Sequence, residues 1–182
     1  MKQNYRAFLG TPVRDRLTRG LLGRVADLVV NPVNGEVLAL HTHPSRKLLV
    51  PTVDVLRVSN GEVWLENPEA ITRPDEIVRI AEVIAKKTPI VGNKVFTVSR
   101  AFLGEVLDFE FETNGWALTQ LSVGKKILGI PTDKKLINVN QIIRIAPREI
   151  TVRDLTVPIK AKITNKIALP DLDGNASFRV KK

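Results

Sequence analysis

The chain has 182 residues, 43% hydrophobic and 26% charged, with a formal net charge of +9 and no cysteine. That composition fits one ordinary globular domain or two small ones, and it excludes a disordered or low-complexity chain. Without cysteine there are no disulfides, no thiolate zinc sites and no cysteine nucleophiles, which agrees with a reducing compartment. No stretch approaches the roughly 20 apolar residues that cross a bilayer. The first ten residues, MKQNYRAFLG, hold no apolar run of signal-peptide length. The expected location is cytoplasmic.

The first clear element is LGRVADLVVNPVNGEVLAL, from Leu22 to Leu40. Ala26, Leu28 and Val30 alternate with Asp27, Val29 and Asn31, the period of a half-buried strand. Asn34-Gly35 predicts a tight turn with positive φ, and a second apolar strand follows. KLLVPT and VLRVSNGEVWL predict further short strands. Next, RPDEIVRIAEVIAKK (Arg73 to Lys87) predicts a helix. Pro74 suits its first turn, Asp75 and Glu76 its positive end, and Lys86 and Lys87 its negative end. Ile77, Ile80, Ala81 and Ile84 form one apolar face, so the helix should pack on one unit and space the other.

The chain then writes the first unit again. LGEVLDFEFETNGWALTQL, Leu103 to Leu121, places Leu107, Phe109 and Phe111 where Ala26, Leu28 and Val30 stand, and Asp108 where Asp27 stands. Five blocks recur in one order. GTPV at Gly10 parallels GNKV at Gly92, and LTRGLLG parallels VSRAFLG, with Arg19 facing Arg100. The hairpins match, with Asn34-Gly35 facing Asn114-Gly115. KLLVPT parallels ILGIPT, with Pro51 facing Pro131. VLRVSNGEVWL parallels IIRIAPREITV, with Arg57 facing Arg144 and Glu62 facing Glu149. Chance similarity explains one hairpin but not five ordered blocks, so the reading is a duplication. Each unit has five or six short strands punctuated by Gly and Pro, the pattern of a small β-barrel. The expected organisation is a first barrel over 1–72, a helical connector over 73–88, a second barrel over 89–154 and a basic extension over 155–182. In the extension, Ile159, Ala161 and Ile163 alternate with polar residues and predict an added strand ahead of a mobile, basic end.

The block LLGRVADLVVNPVNGEVLAL resembles the PRC-barrel signature: Gly23, Val25, Asp27 and Gly35, and again Gly104, Val106, Asp108 and Gly115. The resemblance implies two PRC-type β-barrels in tandem. The family includes the reaction-centre H subunit and the ribosome-maturation factor RimM, and its modules act mainly in docking, not catalysis. The chain lacks the transmembrane helix of the former, and its first half is not the distinct N-terminal barrel of the latter. The resemblance therefore implies the module and a protein partner, and neither specific role.

The catalytic inventory is thin. There is no nucleophile–base pattern, no glycine-rich phosphate loop and no dinucleotide fingerprint. The repeated positions of Asp27 and Asp108 suggest a shared bond to neighbouring backbone. His41 and His43 would share a strand face, with Asp54 as a conceivable third ligand, but surface histidines at a strand end are the simpler reading. DLDGN at Asp171 lacks the spacing of a calcium loop and reads as a turn. The expectation is a protein with no intrinsic catalysis, no cofactor and no metal. Charge gives the second functional reading. Residues 1–60 carry +5, 61–90 carry −2, 91–150 carry +2 and 151–182 carry +4. Lys125, Lys126, Lys134, Lys135, Lys160, Lys162, Lys166, Arg179, Lys181 and Lys182 are the candidates for an anionic partner. Aromatic platforms for single-stranded nucleic acid are scarce. Trp64 and Trp116 are the two conceivable ones, and rim or core packing is the favoured reading for both. A protein partner is the leading expectation, and RNA or the ribosome is the alternative.

Overall fold

The computed structural model describes residues 1–43, 47–127 and 130–154. The fold is mainly β. A short N-terminal strand, β1 (Lys2–Asn4), leads into a one-turn helix, α1 (Tyr5–Phe8). The first repeat follows as β2 (Pro12–Asp15), β3 (Leu21–Arg24), β4 (Asp27–Val30), β5 (Val37–His41), β6 (Leu49–Pro51), β7 (Val55–Ser59) and β8 (Glu62–Leu65). After the helix α2 (Val78–Ala85), the second runs as β9 (Lys94–Thr97), β10 (Phe102–Glu112), β11 (Ala117–Ile127), β12 (Ile130–Asn138), β13 (Ile142–Ile145) and β14 (Glu149–Val152). Among the described residues these form three open sheets. One has the order β12-β11-β10-β9-β14-β13, with β1 added to β10. The others are β3-β2-β8-β7 and β4-β5-β6.

The two halves repeat one pairing scheme. Val13 faces Gly23 and, in parallel, Val63; Val95 faces Gly104 and, in parallel, Ile150. Leu28 faces Leu40 and Phe109 faces Leu121, and all four are buried. A bulge leaves Leu38 as the extra residue in β5 and Thr119 in β11. β10 is one long strand where β3 and β4 are two.

Register corrects two of the sequence alignments. Val30 faces Val37 and Phe111 faces Leu118, so the two turns are equally long. Gly35 then corresponds to Trp116, not to Gly115. Both are left-handed, with φ of 74° and 48°. Trp116 is held in that conformation with its ring stacked on Phe111, centroids 6.0 Å apart. Likewise Pro51 faces Ala39 and Asn138 faces Gln120, so Pro51 corresponds to Asn138. Pro131 instead faces Lys126, far along the β11–β12 hairpin. The extra residues of the second copy thus lengthen that hairpin. The better match to KLLVPTVDVLRV is KKLINVNQIIRI.

The repeats meet through equivalent residues. Glu36 bridges Ala117, the Val37 amide donates to the Trp116 carbonyl at 2.6 Å, and the Leu118 amide donates to Gly35 at 2.8 Å. Exchanging the repeats maps each bond onto the other, the geometry of an isologous dimer contact within one chain. One apolar core runs through both halves, from Val13, Leu40 and Val63 to Val95, Phe111 and Ile150.

The connector is shorter as a helix than its sequence predicts. A 3-10 turn over Pro74–Glu76 comes first, Ile77 is extended with φ −123°, and α2 begins at Val78. Ile80 and Val83 are its buried residues, flanked by Ile77 and Ile84, so Val83 takes the place predicted for Ala81. The helix covers Val29, Leu38, Ala39 and Leu49 on the outer face of β4-β5-β6. For that reason β4 and β5 are buried on both faces, where alternation predicts one.

Candidate functional site

Four of the ten cationic candidates fall among the described residues, all on the β11–β12 hairpin. Lys125 and Lys134 are exposed on the β11–β12 hairpin, and Lys135 is half-buried with its ammonium 3.3 Å from Asp133. The backbone of Lys126 pairs with Pro131 on the same hairpin. Lys160, Lys162, Lys166, Arg179, Lys181 and Lys182 lie outside the described residues, as do Asp171 and the strand predicted around Ile159. Trp64 and Trp116 are both half-buried. The Arg57 guanidinium lies 5.6 Å from the Trp64 ring centre, and Trp116 packs on the core. Neither is a free stacking platform.

A half-open concavity lies elsewhere, at the junction of the repeats. It has a volume of about 810 Å³ between β4, the end of β5, the last turn of α2, the linker Lys87–Val91, Tyr5 and Phe109. Val29, Val30, Val83, Ile84, Ile90 and Phe109 give it apolar walls. Tyr5, Asp27, His41, Lys87 and Thr88 supply its polar lining, and of these Lys87 is exposed.

The polar end follows from strand register and from the N-terminal helix. Asp27 opens β4 and His41 closes β5, so the two face each other across the ladder. The Tyr5 hydroxyl donates to Asp27 Oδ1 at 2.8 Å, and its ring stacks on Phe109 at 4.7 Å. His41 is 5% exposed, so it is a buried residue and not the surface histidine expected from its place at a strand end. His43, beyond the strand, is exposed. Among the described residues no group of three or more His, Asp or Glu side chains is placed to hold a metal ion.

Comparison of the repeats separates scaffold from site. Asp27 Oδ1 accepts the amide of Leu28 at 2.8 Å, and Asp108 Oδ1 accepts that of Phe109 at 2.9 Å. This is the shared backbone role expected of the two aspartates. The rest differs. Opposite Asp108 stands Ser122 instead of a histidine. Asp108 also takes the Arg6 amide at 3.1 Å, and Arg6 Nε bonds to the Leu107 carbonyl at 2.7 Å. α1 therefore holds both aspartates at once. β1 extends this clasp. Lys2 Nζ lies 2.9 Å from Glu110. Its hydrogen bond, and then that of Thr119, hold the Glu110 carboxyl below its ordinary value. The sequence signals for α1 are weak, because four residues carry no periodicity.

No protein-family model matches the chain, and no curated protein matches its sequence.

Proposed function

We infer that the protein is a non-enzymatic docking module, two PRC-type barrels in tandem, that binds a protein partner in the cytoplasm. The observation that carries this reading is a pair of apolar positions exposed in both repeats. Leu21 and Phe102 are 54% and 43% exposed, and Leu56 and Ile143 are 44% and 54% exposed. Register makes each pair equivalent. Leu21 starts β3 and Phe102 starts β10. Leu56 and Ile143 are the extra residues of bulges in the edge strands β7 and β13. Scattered exposed apolar residues are ordinary. The same ones kept on both copies, with Leu21, Leu56 and Ile143 on the edge strands β3, β7 and β13, are suited to contact with another chain.

A second reading, a ribosome-assembly or RNA-processing factor, is favoured by Lys125 and Lys134. Both are exposed on the hairpin lengthened in the second repeat. Pull-down from nuclease-treated lysate at two salt concentrations separates the readings. Docking through apolar side chains leaves a protein bound under both conditions, and Leu21→Ser with Phe102→Ser releases it. Recovery of ribosomal RNA or particles at low salt alone supports the second reading. Retention of the partner by the folded double variant overturns the first.

A further inference from the structure

We propose that the β2–β3 turn of the first repeat is a reversible membrane anchor: Leu17 enters the boundary of a bilayer, and the flanking arginines engage anionic phospholipid headgroups. Leu17 is 80% exposed. A lone exposed leucine is ordinary. This one is set apart by its support, by its neighbours and by what the second repeat has in its place.

The turn brings its own hydrogen bonds. Every backbone amide from Asp15 to Gly20 donates within the protein. Asp15 donates to the Gly20 carbonyl, Arg16 to that of Leu65 and Arg19 to that of Asp15. The Asp15 carboxylate takes the amides of Leu17 and Thr18, and the Thr18 hydroxyl oxygen takes that of Gly20. A segment that leaves water for the bilayer boundary must satisfy its backbone internally, because hydrocarbon offers no partner. Contact with RNA or with a protein surface sets a weaker condition, since both supply polar groups.

The second repeat provides an internal control. Val13 and Val95 hold the same place in the sheets, parallel to Val63 and Ile150 and opposite Gly23 and Gly104. The bond from Asp15 to Gly20 corresponds to that from Thr97 to Ala101. The second turn is therefore one residue shorter, and every amide from Thr97 to Ala101 is again bonded. Between matched residues the first repeat has Arg16 and Leu17 where the second has Val98 alone. The turn folds without the extra residue, so scaffold needs do not explain an added arginine and leucine side by side.

Charge selects the surface. Residues 14–24 hold four arginines against one aspartate, and Asp15 is only 4% exposed. Arg14 and Arg16 pair with Glu62 and Glu66. Arg19 and Arg24 are exposed and form no ion pair among the described residues. Arg100, the counterpart of Arg19, is instead paired with Glu149. An arginine can lay its stem along apolar surface and give its planar guanidinium to phosphate. One apolar anchor binds a bilayer only marginally, and basic groups beside it strengthen the hold on an anionic leaflet.

The docking reading uses neither Leu17 nor Arg19, so the two inferences fail separately. The full chain is sedimented with vesicles of phosphatidylcholine, alone or mixed equally with phosphatidylglycerol. Binding is expected with the anionic mixture, and Arg19→Ala should weaken it about fivefold. Leu17→Ser should weaken it about tenfold or more. Leu17→Trp reports depth. Bromines on the acyl chains should quench its fluorescence beyond the quenching of the unaltered protein, whose Trp64 and Trp116 are half-buried. Position 17 is exposed, so neither substitution there disturbs the core. No sedimentation with the anionic vesicles at low salt overturns the proposal from the unaltered protein alone. Binding that Leu17→Ser leaves unchanged, or that brings no added quenching in Leu17→Trp, is adsorption by charge and overturns it equally.

Discussion

The Tyr5 hydroxyl donates to Asp27 at 2.8 Å, and the amide of the adjoining residue, Arg6, donates to Asp108 at 3.1 Å. One turn of helix thus bonds to equivalent aspartates of two repeats. Phe8 drives the same helix into the core, edge-on to Phe111 at 5.2 Å. Burial and hydrogen bonding at this clasp differ in weight. Tyr5→Phe loses one half-buried bond and should cost about 1 kcal/mol. Phe8→Ala leaves a cavity in the shared core and should cost about 4 kcal/mol. Urea denaturation of both variants checks the order. A Phe8→Ala protein as stable as wild type would show that the N-terminal segment is not part of the cooperative unit.

The signature glycines have a steric cause. A Cβ on Gly104 would stand 2.5 Å from the Gly124 carbonyl oxygen, with φ already at 132°. A Cβ on Gly23 would stand 2.8 Å from the Thr42 carbonyl oxygen. In each repeat the glycine lets one strand pass against the backbone of another. Gly104→Ala should cost about 3 kcal/mol or more, since backbone strain alone is worth about 1–3. Gly61→Ala, with positive φ but open space, should cost only about 1 kcal/mol. Equal losses at the two sites, read from thermal or urea unfolding, would remove the steric explanation.

Two turn carboxylates predict acid sensitivity. The Thr18 hydroxyl, then the amides of Leu17 and Thr18, hold the Asp15 carboxyl below its ordinary value of 3.8. The Ser99 hydroxyl and amide, then Thr97, do the same for Asp154. Asp15 comes from the β2–β3 turn itself, whereas Asp154 reaches the β9–β10 turn from beyond β14. Both folded values are lowered, so the unfolded chain takes up protons first as pH falls. The stabilisation is complete above the ordinary carboxylate range and is lost as pH falls through 3.8 toward the folded values. Asp15→Asn with Asp154→Asn should flatten the pH dependence of stability in that acid range. An unchanged slope in unfolding experiments at successive pH values would contradict it.

Much of this architecture is legible in the sequence because core strands carry their own pattern. Leu28 and Val30, Phe109 and Phe111 are apolar at alternate positions, and they face the core in register. The turn alignment slips by one residue because Asn-Gly is only one way to accept positive φ, and packing on Phe111 holds Trp116 there instead. The site is less legible. Asp27 and His41 are far apart in the chain until a ladder pairs them, and Tyr5 reaches them through a helix too short to leave a periodic trace. Burial of His41 depends on what covers the end of β5, which no local pattern records.

The cationic hairpin gives the RNA reading a quantitative form. Each phosphate contact contributes about 0.7 to the slope of log K against log salt for single strands. Lys125→Ala with Lys134→Ala should therefore lower the slope for a single-stranded RNA probe by up to about 1.4. Lys135→Ala should change it less, because that ammonium already faces Asp133. RNA affinity that ignores all three substitutions would place any contact elsewhere.

The helix α2 provides the sharpest contrast between charge and packing. Arg79 is paired with Glu36, but both side chains are substantially exposed, and such pairs contribute about 0–1 kcal/mol. Ile80 is 3% exposed against Val29, Ala39 and Leu49, and its truncation to Ala should cost about 2–5 kcal/mol. The second repeat explains why only the first needs this cover. At the positions of Val29, Leu38, Ala39 and Leu49 it carries Glu110, Thr119, Gln120 and Leu136, a face polar enough to meet water. Writing the second repeat's residue into the first, as Val29→Glu, should therefore dislodge α2 while β9 to β14 stay folded. Hydrogen exchange resolves the two outcomes. Loss of protection over 78–85 with retention over the second repeat is expected. Uniform loss throughout would mean that α2 is inseparable from the shared core.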